Sequence, residues 1–171
     1  ASSASGAVTV YDVVKNKQIW SIEHAHKGDV LSLVRCGGHL FATRGQDGKI
    51  KVWDLTKTNE ALSTIICGQH WIEHVSYSQE LERLAVAVGT NLRVYSMKKG
   101  EEGTLLKEFP ARSSTISALR LNPRKNLVYS TSYGEIILTD IETLQEVKKF
   151  EVRESSVGCR PINLFLLQFF A

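Results

Sequence analysis

Apolar and polar residues alternate with period two along most of this chain, in runs of five to eight residues broken by turn-forming clusters. Such alternation predicts strands with one face buried and the other in contact with something polar. Between Asp29 and Cys67 it predicts four: Val30–Arg35, His39–Gly45, Lys49–Asp54 and Ala61–Cys67. Turn sequences separate them, CGG at Cys36–Gly38, QDG at Gln46–Gly48 and TKTNE at Thr56–Glu60. The next stretch predicts Ile72–Ser78, Leu81–Val88, Asn91–Ser96 and Thr104–Phe109, and the one after it Ile116–Leu121, Leu127–Thr131, Glu135–Asp140 and Glu146–Val152. Two further strands, Gly6–Asp12 and Gln18–Glu23, precede them. Only ELERLAVAV has helical spacing, at Leu81, Leu84 and Ala85, and its alternation at Leu84, Val86 and Val88 favours a strand.

The strands repeat. AVTVYD, KIKVWD, NLRVYS and EIILTD share one pattern and end at Asp12, Asp54, Ser96 and Asp140, which are 42, 42 and 44 residues apart. Four strands in a period of about 42 residues is the signature of a β-propeller blade. Each such sheet has two faces to bury and cannot bury both alone, so blades stack.

The segment LFATRGQDGKIKVWD, Leu40 to Asp54, resembles a WD repeat. The resemblance implies a hydrogen-bonded set inside the blade, carried here by His26 (in an Ala25-His26 pair where the family has Gly-His), Thr43, Asp47 and Trp53. A buried Trp N–H needs an acceptor, and a buried His ring needs partners on both nitrogens. These four residues are therefore expected to stabilise a blade, not to catalyse. The other blades keep the strands and lose the set: the second has Gln69-His70, Gly89-Thr90 and Tyr95-Ser96, and the third ends Thr139-Asp140.

The expected fold is all-β, a WD-repeat propeller of about three complete four-stranded blades and part of a fourth in an incomplete ring. Residues 1–152 form the partial propeller, with a blade part at 5–23 and blades at 29–67, 72–109 and 116–152; residues 153–171 are an apolar tail outside the repeat frame. Ile162–Phe170 offers one apolar strand where a closing blade needs two. The expectation is a fragment or truncated form of a larger propeller, one part of a two-chain ring, or a small four-bladed ring with a broken last blade. An open blade face would favour self-association.

Composition narrows the function. Hydrophobic residues make up 43% and charged residues 23%, as in a folded globular domain. The net charge of +3 gives no electrostatic reason to expect nucleic acid or a membrane surface. Ile162–Ala171 is too short and too interrupted to span a membrane. Three cysteines exclude a disulfide scaffold and point to a reducing compartment, cytoplasmic or nuclear. Cys36 and Cys67 read as core residues and Cys159 as an exposed thiol. His24, His26, His39 and Cys36 lack metal-ligand spacing, so no metal or cofactor is expected. No phosphate-binding loop or acid–base pair appears.

The resemblance then implies a non-enzymatic protein-interaction scaffold or adaptor subunit of a multiprotein complex. Its partners would dock on the rim built by the connections between blades and by the turns between second and third strands. Those segments hold Lys27, Arg44, Gln46, Trp71, Arg112 and Tyr133. Arg, Trp and Tyr are enriched at interface hot spots. Packing between blades explains Trp71 as well as a partner does, and a salt bridge to the next blade explains Arg44 equally well. The alternative is an RNA-binding propeller subunit of a ribonucleoprotein complex, using Lys98-Lys99, Arg120, Arg124-Lys125 and Lys148-Lys149.

Overall fold

The structure is a computed structural model that describes residues 6–57, 60–68, 72–122, 127–132 and 135–151. Trp71, Tyr133, Arg124-Lys125, Cys159 and the apolar tail lie outside the described residues. Among the described residues, fourteen strands form four antiparallel sheets whose strands pair in chain order. The first sheet pairs β1 (Val8–Asp12) with β2 (Lys17–Ile22). The second contains β3 (Val30–Arg35), β4 (Leu40–Gly45), β5 (Lys49–Asp54) and β6 (Ser63–Ile66) in that order. The third contains β7 (Ile72–Ser78), β8 (Arg83–Val88), β9 (Asn91–Ser96) and β10 (Leu105–Glu108). The fourth contains β11 (Ile116–Asn122), β12 (Leu127–Ser132), β13 (Glu135–Asp140) and β14 (Gln145–Glu151).

The ambiguous ELERLAVAV segment is a strand only from Arg83 onwards. Leu81 and Glu82 belong to the turn before it, where Glu82 takes a left-handed φ of 50°. The outer strands are shorter than the alternation suggested: β6 starts at Ser63 and β10 stops at Glu108. All four residues of β10 are exposed, so packing does little to extend it.

Sheets stack face to face in chain order, and each seam has its own apolar cluster. Val8 and Trp20 of the first sheet meet Val30, Phe41 and Trp53 of the second. Ala42, Ile50 and Val52 of the second meet Leu84, Val86 and Tyr95 of the third. Ala85, Leu92 and Val94 of the third meet Ile116, Leu119 and Ile141, on and beside the fourth. Leu84, Val86 and Val88 thus face the second sheet while Ala85 and Ala87 face the fourth, which is why β8 is buried along its length. The first strands of successive sheets approach one another, β3 to β7 and β7 to β11. They lie at the narrow side of the fan, as the inner strands of propeller blades do.

The first seam is aromatic. The Trp20 ring meets Phe41 edge-on at 5.3 Å and 87°, and Trp53 at 5.8 Å and 70°. Its indole N–H donates to the Lys57 carbonyl at 3.2 Å, so the buried polar atom is satisfied across the seam. Trp20→Ala is expected to lower stability by about 3–5 kcal/mol, the usual cost of emptying a large aromatic site. Urea unfolding of wild type and variant measures it; a loss below about 1 kcal/mol would mean that the two-stranded sheet does not hold to the second.

Candidate functional site

One end of the second sheet is built around a buried imidazole. His26 lies in the connection from β2 to β3 and is 3% exposed. Its Nε2 is 2.7 Å from Thr43 Oγ1 in β4, and its Nδ1 is 2.9 Å from Asp47 Oδ1 in the β4–β5 turn. Trp53 Nε1 of β5 donates to the same Thr43 oxygen at 2.8 Å. Burial lowers the His26 pKa, outweighing the hydrogen bond and charge of Asp47, so the ring is neutral at pH 7. One set of proton positions then satisfies every atom. Trp53 donates to Thr43, the Thr43 hydroxyl donates to Nε2, and Nδ1–H donates to Asp47. Asp47 also accepts from the backbone N–H groups of Lys49 and Lys27, each at 3.2 Å. Burial raises its pKa, but the His26 bond and these two donors outweigh that and hold the carboxyl below its ordinary range.

Gly45 makes the arrangement possible. A Cβ there would stand 2.2 Å from His26 Nδ1 and 2.7 Å from Asp47 Oδ1. The ring fits only because β4 ends in a residue with no side chain. A glycine closing an alternating strand is the signal that marks such a close approach, although from the sequence Gly45 reads only as the last residue of its strand. Thr43 is 1% exposed and already holds two partners, so its hydroxyl is not presented to any substrate. Among the described residues no group of three or more His, Cys, Asp or Glu could hold a metal ion. Cys36 and Cys67 are buried free thiols, and burial pushes the Cys36 pKa up to about 12.

The sequence-predicted rim residues separate into two groups. Lys27 and Gln46 are exposed beside Asp47. Gln46 is fixed by two bonds to Asp29, its N–H to the carbonyl at 2.9 Å and its Oε1 to the N–H at 3.4 Å. Arg44 and Arg112 are turned into seams. Arg44 Nη1 donates to the Ile72 carbonyl of the third sheet. Arg112 Nη2 lies 2.6 Å from Glu146 Oε1 of β14, and its side chain is 9% exposed.

A protein-family model for the WD domain, G-beta repeat, matches residues 16–54, which contain the whole His26–Trp53 set. Residues 16–54 therefore carry a WD repeat, and the chain resembles WD-repeat proteins. Its WD-repeat relatives include DDB1- and CUL4-associated factor 10 of Xenopus tropicalis and of human, each 28% identical over 149 residues and 85% of this chain. A WD repeat-containing protein 55 homolog of Dictyostelium discoideum is 25% identical over 166 residues. The chain spans 32%, 26% and 37% of the lengths of these three proteins. A chain in a crystal structure of the mitotic checkpoint complex superposes with a TM-score of 0.75 at 15% identity, over 88% of this chain and 46% of that one. This likeness supports the propeller fold.

In this WD-repeat chain further polar bonds cross the seams, and the sequence reading singled out none of them. Arg93 of β9 reaches back to the Cys67 carbonyl at 3.2 Å. Arg83 of β8 reaches forward to the carbonyls of Ile141 and Glu142. His74 Nε2 of β7 donates to the Ser117 carbonyl of β11 at 2.8 Å. Ser63 of β6 donates to the Glu102 carbonyl at 2.8 Å. Their acceptors are backbone carbonyls, which no side-chain pattern announces.

Asp47→Ala is expected to cost about 1–3 kcal/mol by leaving the His26 ring and two backbone donors short of a partner. Gly45→Ala is expected to cost at least as much by displacing the ring. Urea midpoints check both, and an unchanged midpoint for Asp47→Ala would reduce that residue to a turn former. The pKa shifts also set a pH dependence. His26 has a folded pKa below its ordinary 6.5, so its contribution is complete above that pH and is lost as pH falls through the folded value. Asp47, also depressed, adds a second loss below its ordinary 3.8. The urea midpoint should therefore fall on going from pH 7.5 to 5, and His26→Gln should flatten that fall.

Proposed function

We propose that this chain is a non-enzymatic interaction platform, an adaptor subunit of a multiprotein complex. Partners dock at the end of the sheets that carries the β2–β3 connection and the β4–β5 turn. The observation behind this reading is the pairing of a rigid frame with exposed polar tips. Asp47 holds the Lys27 backbone, and Asp29 holds Gln46 at two points, while both side chains face solvent. A surface held this way loses little entropy on binding. The relatives support it, since DDB1- and CUL4-associated factor 10 is described by its association with other proteins. Arg44 and Arg112 act here as seam ties rather than as contacts. A cytoplasmic or nuclear location accompanies the reading, and no helix of the described residues is long and apolar enough to cross a membrane.

Two of the basic residues that the RNA-binding alternative draws on are already engaged within the fourth sheet. Lys148 lies over the Phe150 ring at 4.8 Å, and Lys149 pairs with Glu135 at 2.6 Å. The adaptor reading is tested with a photo-crosslinking amino acid placed at Lys27, at Gln46 and, as a control on the opposite end, at Thr56. One and the same protein is expected to be captured from cells at the first two positions and not at the third. Capture of that same protein at Thr56 as efficiently as at Lys27 and Gln46, with no loss when Glu80 and Glu82 at that end are changed to Gln, or no capture at any position, would remove the His26 end of the sheets as the docking surface.

A further inference from the structure

The other end of the sheets carries a cleft of about 390 Å³ between the β3–β4 turn and the β7–β8 turn. It is lined by Cys36, Gly37, Gly38, His39 and Leu40 on one side and by Tyr77, Gln79, Glu80 and Glu82 on the other. β4 runs from Leu40 to Gly45, so this cleft and the His26–Asp47 set lie at opposite ends of one strand. Its volume falls in the range of about 300–1,000 Å³ typical of ligand sites.

The lining has two kinds of wall. Cys36 is buried, Leu40 and Tyr77 are half-buried, and together they give an apolar floor beside the Tyr77 ring. Glu80 and Glu82 are exposed at the rim, and among the described residues no ion pair involves either one. Glu82 acts on the floor, because its charge adds to burial and to Cys36 in pushing the Tyr77 pKa up to about 12. Both sides of the cleft are fixed. The Glu82 carbonyl accepts the Met97 N–H at 2.7 Å, and in the β3–β4 turn the Leu40 N–H donates to the Gly37 carbonyl and the Cys36 N–H to the Leu40 carbonyl, each at 2.9 Å.

We propose that this cleft is a second docking site, which takes an arginine or lysine side chain from a partner polypeptide. A long aliphatic stem fits the Leu40–Tyr77 floor, and the cationic head meets Glu80 and Glu82 and the π-face of Tyr77. An anion is disfavoured by both carboxylates. A metal ion is not favoured, since this set does not gather three ligands among the described residues. The chain as a whole is positive at +3, so an unpaired acidic rim is a local exception that steers a basic segment to one place.

The test is an NMR titration of the full 171-residue chain with the capped peptide acetyl-Gly-Arg-Gly-amide and with its citrulline counterpart, which keeps the shape and removes the charge. The arginine peptide is expected to shift amides of residues 36–40 and 77–82 and to bind about fivefold more tightly than the citrulline peptide, as two solvent-facing carboxylates allow. Glu80→Gln with Glu82→Gln should abolish that preference, while amides around His26 stay in place and show that the fold is intact. Equal binding of the two peptides, shifts elsewhere, or no shift at 10-millimolar-scale peptide (roughly the weak limit of such contacts) would overturn the proposal. Crosslinking at Lys27 and Gln46 tests the other end independently, so either site can fail alone.

Discussion

Every sheet in this chain has two faces, and both have to be covered. The third sheet shows the constraint most fully: β8 sends Leu84, Val86 and Val88 to one neighbour and Ala85 and Ala87 to the other, and none of the five is exposed. Hydrophobic burial has no direction, so it brings sheets together without fixing how they are turned. The orientation comes from polar bonds that cross the seams. Trp20 to Lys57, Arg44 to Ile72, Arg83 to Ile141 and His74 to Ser117 each aim a side-chain donor at a carbonyl in the following sheet or in a turn of it. Such a bond forms at one rotation and one register, and its donor would be costly to leave unmade inside a seam.

Burial also explains why one sheet carries the four-residue network and its neighbour does not. Thr43 of β4 pairs with the third residue of β5, and Val86 of β8 pairs with the third residue of β9. At the same register position the third sheet therefore has an apolar side chain, fully buried. Tyr95, the fifth residue of β9, stands where β5 has Trp53. A completely satisfied polar set and a completely apolar one are both stable answers; a half-built one is not. In the fourth sheet, Thr139 at the equivalent place is wholly buried, and among the described residues its hydroxyl has no partner.

The strands were legible because their pattern is local. Period-two alternation between Lys49 and Asp54, or between Asn91 and Ser96, can be read from six residues. The His26 set was legible for another reason: its members have distinctive chemistry at the spacing of a known repeat. What the sequence did not disclose depends on distance along the chain. Arg44 meets a carbonyl 28 residues away and Arg83 one 58 residues away, and any residue type supplies a carbonyl. The role of Gly45 was hidden because a missing side chain matters only once a neighbour is known. The cleft was hidden because CGG reads as an ordinary turn and Leu81-Glu82 as the start of a strand, and only stacking sets the two connections side by side.

The two ends of the sheets differ in how their charge is used. At the His26 end the carboxylate of Asp47 is spent inward, on an imidazole and two backbone donors. Its charge organises the frame, and the side chains left for solvent are Lys27 and Gln46. At the cleft end the backbone does the organising, through the Met97 bond to Glu82 and the Leu40 bond to Gly37. The carboxylates of Glu80 and Glu82 are therefore left to face outward over an apolar floor. A charge already neutralised by internal donors offers a partner little, whereas one without an internal partner has its whole Coulomb interaction available to an incoming cation. Antiparallel meanders put turns at both ends of every sheet, so one set of strands can hold two surfaces of unlike chemistry without either disturbing the seams between them.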